Sequence, residues 1–593
     1  MIETIHGMCK KTPTLAKTQC RNNLRSGKNL WILHMGLAKF FSSLAFFTAS
    51  IFSTSSFAAT ERVGDFALLD DHGEFHQISR YIHRSAVVMM SYSPSCAAMD
   101  SKLESFQALR AKYVENNIEF LLIDSSPSQE LNDSFDVPML RDSGQLVTEA
   151  LEIANAGEVM VFNPERLSLF YRGPVDGDLG DTLESVVNSQ IKDTIKSETT
   201  GCALKFPVRE MHASNPPDYS TEVAPVVLKN CSECHRWGGV GPFALDSYVS
   251  VLGWSPMIRE VLLNKRMPPM QVDPSIGHSS GAKYISTEDK QTLIHWMAAG
   301  APRGDGEVDP LELVPIEKVF EWELGEPNFI VKTPPNDVPA VGIQDYVYSE
   351  AELTFEEDKW IRAFQYRPDK EAVLHHLMTF VSPPEEDFWG AEKDKNSVTR
   401  RFLGSYIPGA NPATQFPEGT AVFIPKGYKL SIQSHYVSNG VATIDETVIG
   451  LYFSDKKDNK EILTQAVSAR FVIPPYENNH PMHASYRFDD AVQLTAVRSR
   501  MNFRGKKMKF TLETPDGAMQ DIFSIPAYNY GWQPNYTLDT PQAIPAGSIV
   551  HVKGAFDNSL SNPFNPDPTQ EVEFGLNSWE EMFTGYLTFY KEE

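Results

Sequence analysis

The chain has 593 residues, 41% hydrophobic and 22% charged, an ordinary globular composition long enough for three to five domains at roughly 100–200 residues each. Its net charge is −24, and the first 58 residues carry +6 of local charge, which leaves −30 for the rest. A chain that acidic is a poor ligand for nucleic acid or anionic lipid, so both are excluded as partners.

Residues 1–58 predict a secretory signal peptide. An apolar run, Phe40 to Phe52, follows Lys28 and Lys39, and Ser56-Phe57-Ala58 ends it with small residues at the outer positions. Cleavage near Ala58 predicts an exported protein, periplasmic or secreted. It removes Cys9 and Cys20 and leaves Cys96, Cys202, Cys231 and Cys234. No later segment offers 18 apolar residues in a row, so no membrane span is expected after cleavage.

Residues 59–200 alternate strand-like runs (86–91, 118–124, 159–162) with helical stretches (99–117, 185–195), the pattern of a small α/β domain. Residues 205–310 read as mainly helical. Beyond residue 315 come short strands rich in Val, Ile, Tyr and Phe, punctuated by Pro, Gly and Asn, with room for two β-sandwiches, 315–470 and 471–593.

Within the helical region, Cys231-Ser-Glu-Cys234-His235 is the attachment sequence for haem c. Two cysteines three apart on a helical turn project to one side for thioether formation, and the adjacent histidine meets the iron. Met267, with Met270 three residues on, is the expected sixth ligand. Thioether ligation raises the potential and suits electron transfer. His295, in the closing helical stretch 286–304, is expected to pack rather than ligate.

In the β-rich region, His375-His376 and His435 form a candidate metal set. Adjacent residues in a regular strand face opposite ways, so both rings of the pair meet one metal only at a bulge or strand end, or if one ring swings back. Taken with Phe402-Leu-Gly-Ser-Tyr-Ile-Pro-Gly409, Phe503-Arg-Gly-Lys506, Trp532-Gln533 and Trp579-Glu-Glu-Met582, these segments resemble the copper type II, ascorbate-dependent monooxygenases. These are the peptidylglycine and dopamine hydroxylase superfamily, and the match is closest to bacterial members with a haem domain in front. The resemblance implies two tandem all-β jelly-roll sandwiches. It also implies a three-histidine copper on His375, His376 and His435, and a second, oxygen-activating copper with Met582 among its ligands.

The sequence departs from the family at that second site. Where relatives carry His-x-His it has Arg500-Met501-Asn502, and an arginine has no lone pair to donate. His480 and His483 are the conceivable substitutes, the other reading being that both are solvated loop histidines. Two readings follow. One is an oxidoreductase in which haem passes electrons to copper for substrate hydroxylation, fed by a small reductant or redox protein and acting on a small molecule or peptide. The other is a degenerate electron-transfer or copper-binding protein.

Val63-Gly-Asp65 with Ser91-Tyr-Ser-Pro-Ser-Cys96 resembles the thioredoxin-like (redoxin) fold, with Cys96 at the position of the attacking thiol. Met99 replaces the partner of a CxxC pair, and Ala156-Gly157-Glu158 stands where a proline is usual. A reactive Cys96 and a Cys96–Cys202 disulfide are both open, the disulfide being the simpler expectation for an exported chain.

Overall fold

The computed structural model describes residues 61–593 apart from 128–134, 192, 270–271, 280–281, 283, 316–319, 343, 389–399, 576 and 593. The signal-peptide segment and Met270 therefore lie outside the described residues. No helix among the described residues is long and apolar enough to cross a membrane.

The α/β region is a six-stranded mixed sheet. Its order is Met139–Arg141, Ile118–Asp124, Ala86–Tyr92, Glu158–Asn163, Ser168–Pro174, Ile195–Lys196. Alternation along Ala86–Tyr92 sorts its side chains to two faces. Ala86, Val88 and Met90 pack against Met99, Leu103 and Phe106 of the helix Met99–Tyr113, while Val87 and Met89 turn to the other face. The helix expected over 185–195 instead spans Leu179–Val187, because Leu179, Leu183 and Val186 form its buried stripe. Ser189, at φ 55°, follows that helix, and Ile195 joins the sheet edge.

The second face of that sheet shares one core with the helical region. Val87, Met89 and Leu121 lie in the same cluster as Tyr219, Val227, Leu262 and Trp296. The last helix, Thr287–Ala298, is capped by the Ser286 hydroxyl, which accepts from the Asp289 backbone N–H at 3.0 Å. Val272 and Ala282, between the helices, pack instead with Ile522 and Phe523 far along the chain.

The remainder is β-sheet. In the first sandwich a four-stranded sheet runs Val347–Glu352, Lys429–Tyr436, Leu374–Ser382, Arg401–Tyr406. It packs on a six-stranded sheet through Leu374, Leu377, Ile432, Ile361 and Ile449. The second sandwich pairs the sheet Leu463–Ser468, Thr584–Lys591, Val492–Arg500, Tyr536–Ile544 with the sheet His480–Arg487, Ile549–Phe556, Gly505–Glu513, Met519–Ile525. Leu494, Val497, Phe510 and Val552 fill its core. The strands Leu374–Ser382 and Val492–Arg500 are buried on both faces, because each also turns side chains toward the other sandwich.

Candidate metal centre

His375 and His376 stand at the start of the strand Leu374–Ser382, whose pairing with Lys429–Tyr436 shifts register between Leu374 and His376. That bulge resolves the problem of two adjacent residues serving one site. His376 falls directly opposite His435, and the extra residue, His375, is re-aimed toward both. The Nδ1 atoms of His375 and His376 are 3.0 Å apart, and those of His435 and His375 are 3.3 Å apart. One ligand atom from each of the three rings lies within 4.8 Å of the others.

The electrostatics keep these rings uncharged. Burial, then the neighbouring His435, pushes His375 down to about 3. Burial also pushes His435 down to about 4, against a hydrogen bond with the Gln344 backbone, and Arg500 adds to the shift. His376 is held well below its ordinary value by burial, by the other two rings and by Arg500 and Arg498. Its Nε2 is buried with no hydrogen-bond partner. Three neutral imidazoles, one with an orphaned nitrogen, are a donor set that fits copper.

A loop of the second sandwich covers the cluster. The Tyr530 and Tyr346 hydroxyls meet at 3.0 Å, with the Tyr346 ring 5.2 Å from His435 and the Tyr530 ring 6.2 Å from His375. A Cβ on Gly531 would lie 3.7 Å from His375 Nε2. The same loop reaches the haem-type motif. Gly409 is held at φ +80°, and a Cβ there would stand 2.6 Å from Cys234 Sγ and 3.2 Å from the Trp532 ring. Only glycine permits that approach. Two segments that carry the family resemblance, one ending at Gly409 and the other Trp532-Gln533, thus meet where the motif faces the sandwiches.

The motif residues fit a haem attachment. The helix Ala224–Asn230 delivers Cys231, and the turn closes as the His235 backbone N–H donates to the Cys231 carbonyl at 2.9 Å. Neither cysteine is in a disulfide and both are half-buried, and burial, with Cys234 adding, pushes the Cys231 thiol up to about 12. His235 Nδ1 donates to the Phe243 carbonyl at 3.1 Å, which leaves Nε2 as the ligand atom. Arg236 forms a buried ion pair with Glu371, four residues before His375, and so fastens the motif to the first sandwich.

Met267 is 39% exposed and lines a cavity of about 100 Å³ with Leu69, Phe75 and Lys265. None of Cys231, Cys234 and His235 lines that cavity. His295 is buried between Glu149, 2.8 Å from Nε2, and His212, 2.8 Å from Nδ1. Cys96 is buried and joined to Cys202, whose carbonyl accepts from the Ala156 backbone N–H at 2.9 Å. Of the two expectations for Cys96, the disulfide is the one present.

The position of the second copper does not fit a metal. Arg500 Nε donates to Met582 Sδ at 3.1 Å, so the thioether meets a cation. The Asn502 amide donates to the carbonyls of Asn577 and Glu580, both at 3.1 Å. His480 and His483 belong to the opposite sheet of that sandwich, where His483 Nε2 pairs with His551 Nδ1 at 2.9 Å. Arg498, Tyr346 and Tyr530 belong to none of the sequence motifs above. The aromatic run Tyr528–Trp532 was the available signal for the covering loop.

No family model matches the chain, and no curated protein matches it either. Among solved structures it is similar to a hypothetical protein from Sinorhizobium meliloti, at 20% identity over 25% of this chain and 93% of that one, with a TM-score of 0.23. It is also similar to a peroxidoxin from Mycobacterium tuberculosis (16% identity, 23% and 99% covered, TM-score 0.20). A third is an uncharacterized thioredoxin-like protein from Bacteroides vulgatus (15% identity, 21% and 87% covered, TM-score 0.19).

Proposed function

We propose that this is an exported redox protein that holds haem c on Cys231, Cys234 and His235 and a single copper on His375, His376 and His435. It serves electron transfer or copper holding, not oxygen activation. The carrying observation is the trihistidine cluster, three uncharged imidazoles gathered at one bulge beside the haem-type motif. Bound there, haem and copper supply one-electron chemistry. The chain's own part is placement. Phe243 fixes the His235 tautomer, the Arg236–Glu371 pair locks the motif to the first sandwich, and Tyr346 and Tyr530 pack over the histidines. Gly409 brings its backbone close to both Cys234 and Trp532 of the covering loop.

The departure from oxygenase chemistry rests on Arg500, whose fixed charge lies against Met582 and opposes a second cation. The electron donor is a small reductant or a redox protein. Copper per haem on the purified exported protein tests the reading by elemental analysis. One copper per haem is expected. Two would restore the hydroxylating reading, and none, or zinc in its place, would overturn the copper assignment.

A further inference from the structure

A cavity of about 490 Å³ opens between the two sandwiches, within the size range of small-molecule sites. Three arginines line it, Arg400, Arg470 and Arg500, and no Asp or Glu appears among its described lining residues. In a chain with 77 acidic residues, that is a selective exclusion of negative charge. Arg400 has a carboxylate, Glu386 at 3.3 Å. Among the described residues Arg470 and Arg500 have none.

Arg500 is 3% exposed, and its contacts are weak ones. They are Met582 Sδ at 3.1 Å, Met378 Sδ at 3.7 Å, Gln533 Oε1 at 3.4 Å and Gln433 Oε1 at 3.5 Å. Two residues earlier on the same strand face, Arg498 is wholly buried behind the cavity wall. Its Nη2 lies 3.3 Å from Met378 Sδ, and its Nε and Nη1 have no hydrogen-bond partner. Two guanidiniums that cannot shed their protons are thus buried side by side with thioethers, amides and aromatic rings for company. A buried charge without a counter-charge is strongly unfavourable, and an anion entering the cavity supplies one.

We infer that this cavity binds a small organic acid. Its carboxylate sits on Arg500, within the field of Arg498, and its apolar body lies against Phe380, Phe402 and Tyr586. The inference goes beyond the redox reading, because it needs neither haem nor copper in the cavity and assigns a ligand to the position where a second metal does not fit.

Calorimetric titration of the purified full chain tests it, with 3-phenylpropionate as the acid, 3-phenylpropionamide as the uncharged analogue and inorganic phosphate as the bare anion. A charge-assisted contact predicts that the acid binds about 10- to 100-fold more tightly than the amide. Phosphate, lacking the apolar body, should bind more weakly than the acid. Arg500→Gln should abolish the preference for acid over amide. An amide that binds as well as the acid, phosphate that binds as tightly as the acid, or a folded Arg500→Gln protein that keeps the preference would each overturn the assignment. Should Arg500→Gln fail to fold, the acid-to-amide ratio on the unaltered chain decides the matter alone.

Discussion

The two sandwiches present comparable strands to each other and load them with opposite chemistry. Leu374–Ser382 and Val492–Arg500 are both inner strands of four-stranded sheets, and both carry a register shift against a neighbour. In the first, the shift gathers His375 and His376 opposite His435, three rings kept neutral by burial. In the second, the alternation after the shift puts Arg498 and Arg500 on one face. Burial, followed by its neighbour Arg500, pushes Arg498 only to about 10, so it stays charged. One strand offers lone pairs to a cation, and the other offers cations to an anion. The difference teaches that the scaffold supplies position alone, and the residue type at two or three positions decides what is bound.

The hardest test of that contrast is His376→Ala. This ring is the most buried of the three, lies directly opposite His435 and carries the orphaned Nε2. Loss of supporting partners alone weakens metal sites about 10- to 100-fold, so losing a ligand should weaken copper by at least the upper figure. The expected result is copper falling from one per haem to near none while haem content holds. Copper that persists at one per haem would place the metal elsewhere and dissolve the comparison.

Local patterns carried much of this into the sequence. The run Ile118–Asp124, apolar at 118 and at 120–123, forms the strand its residues predict. The adjacency of His375 and His376 left a bulge, a strand end or a swung ring as the ways to share one site, and the strand has a bulge there. The helix placed at 185–195 shows where local reading fails. Leu179, Leu183 and Val186 have the stronger helical spacing, and their burial against the sheet decides the boundary. Relationships across long separations were not legible at all. Gly409, Cys234 and Trp532 come from three distant segments, and the arginine-lined cavity exists only where two sandwiches meet. The sequence showed that Arg500 could not hold a metal, but not that it would be buried without a carboxylate.

A smaller effect sharpens the link between the haem-type motif and the first sandwich. Glu371 is 4% exposed and pairs with Arg236. Glu371→Gln would leave that guanidinium buried without its counter-charge, a loss of about 3–5 kcal/mol for such pairs. Denaturant unfolding followed by haem absorbance should show it. An unchanged midpoint would mean the pair contributes no docking energy and the motif is held by packing at Gly409 alone.

The smallest expected effect has the opposite sign, and it belongs to the second sandwich. Replacing even a buried ion pair by well-packed apolar residues is often stabilising by about 1–4 kcal/mol, and an unpaired charge has no Coulombic partner to lose. Arg500→Met should therefore raise the melting temperature, by about 2–4 °C for each kcal/mol gained, when calorimetry is done without organic acids in the buffer. Glu371→Gln and Arg500→Met both alter a buried charge, but one strands a guanidinium and the other removes one. The two sandwiches should move apart in stability. If Arg500→Met lowers the melting temperature instead, the contacts of Arg500 with Met582, Gln433 and Gln533 already satisfy it, and the second strand is a structural counterpart of the first rather than its electrostatic opposite.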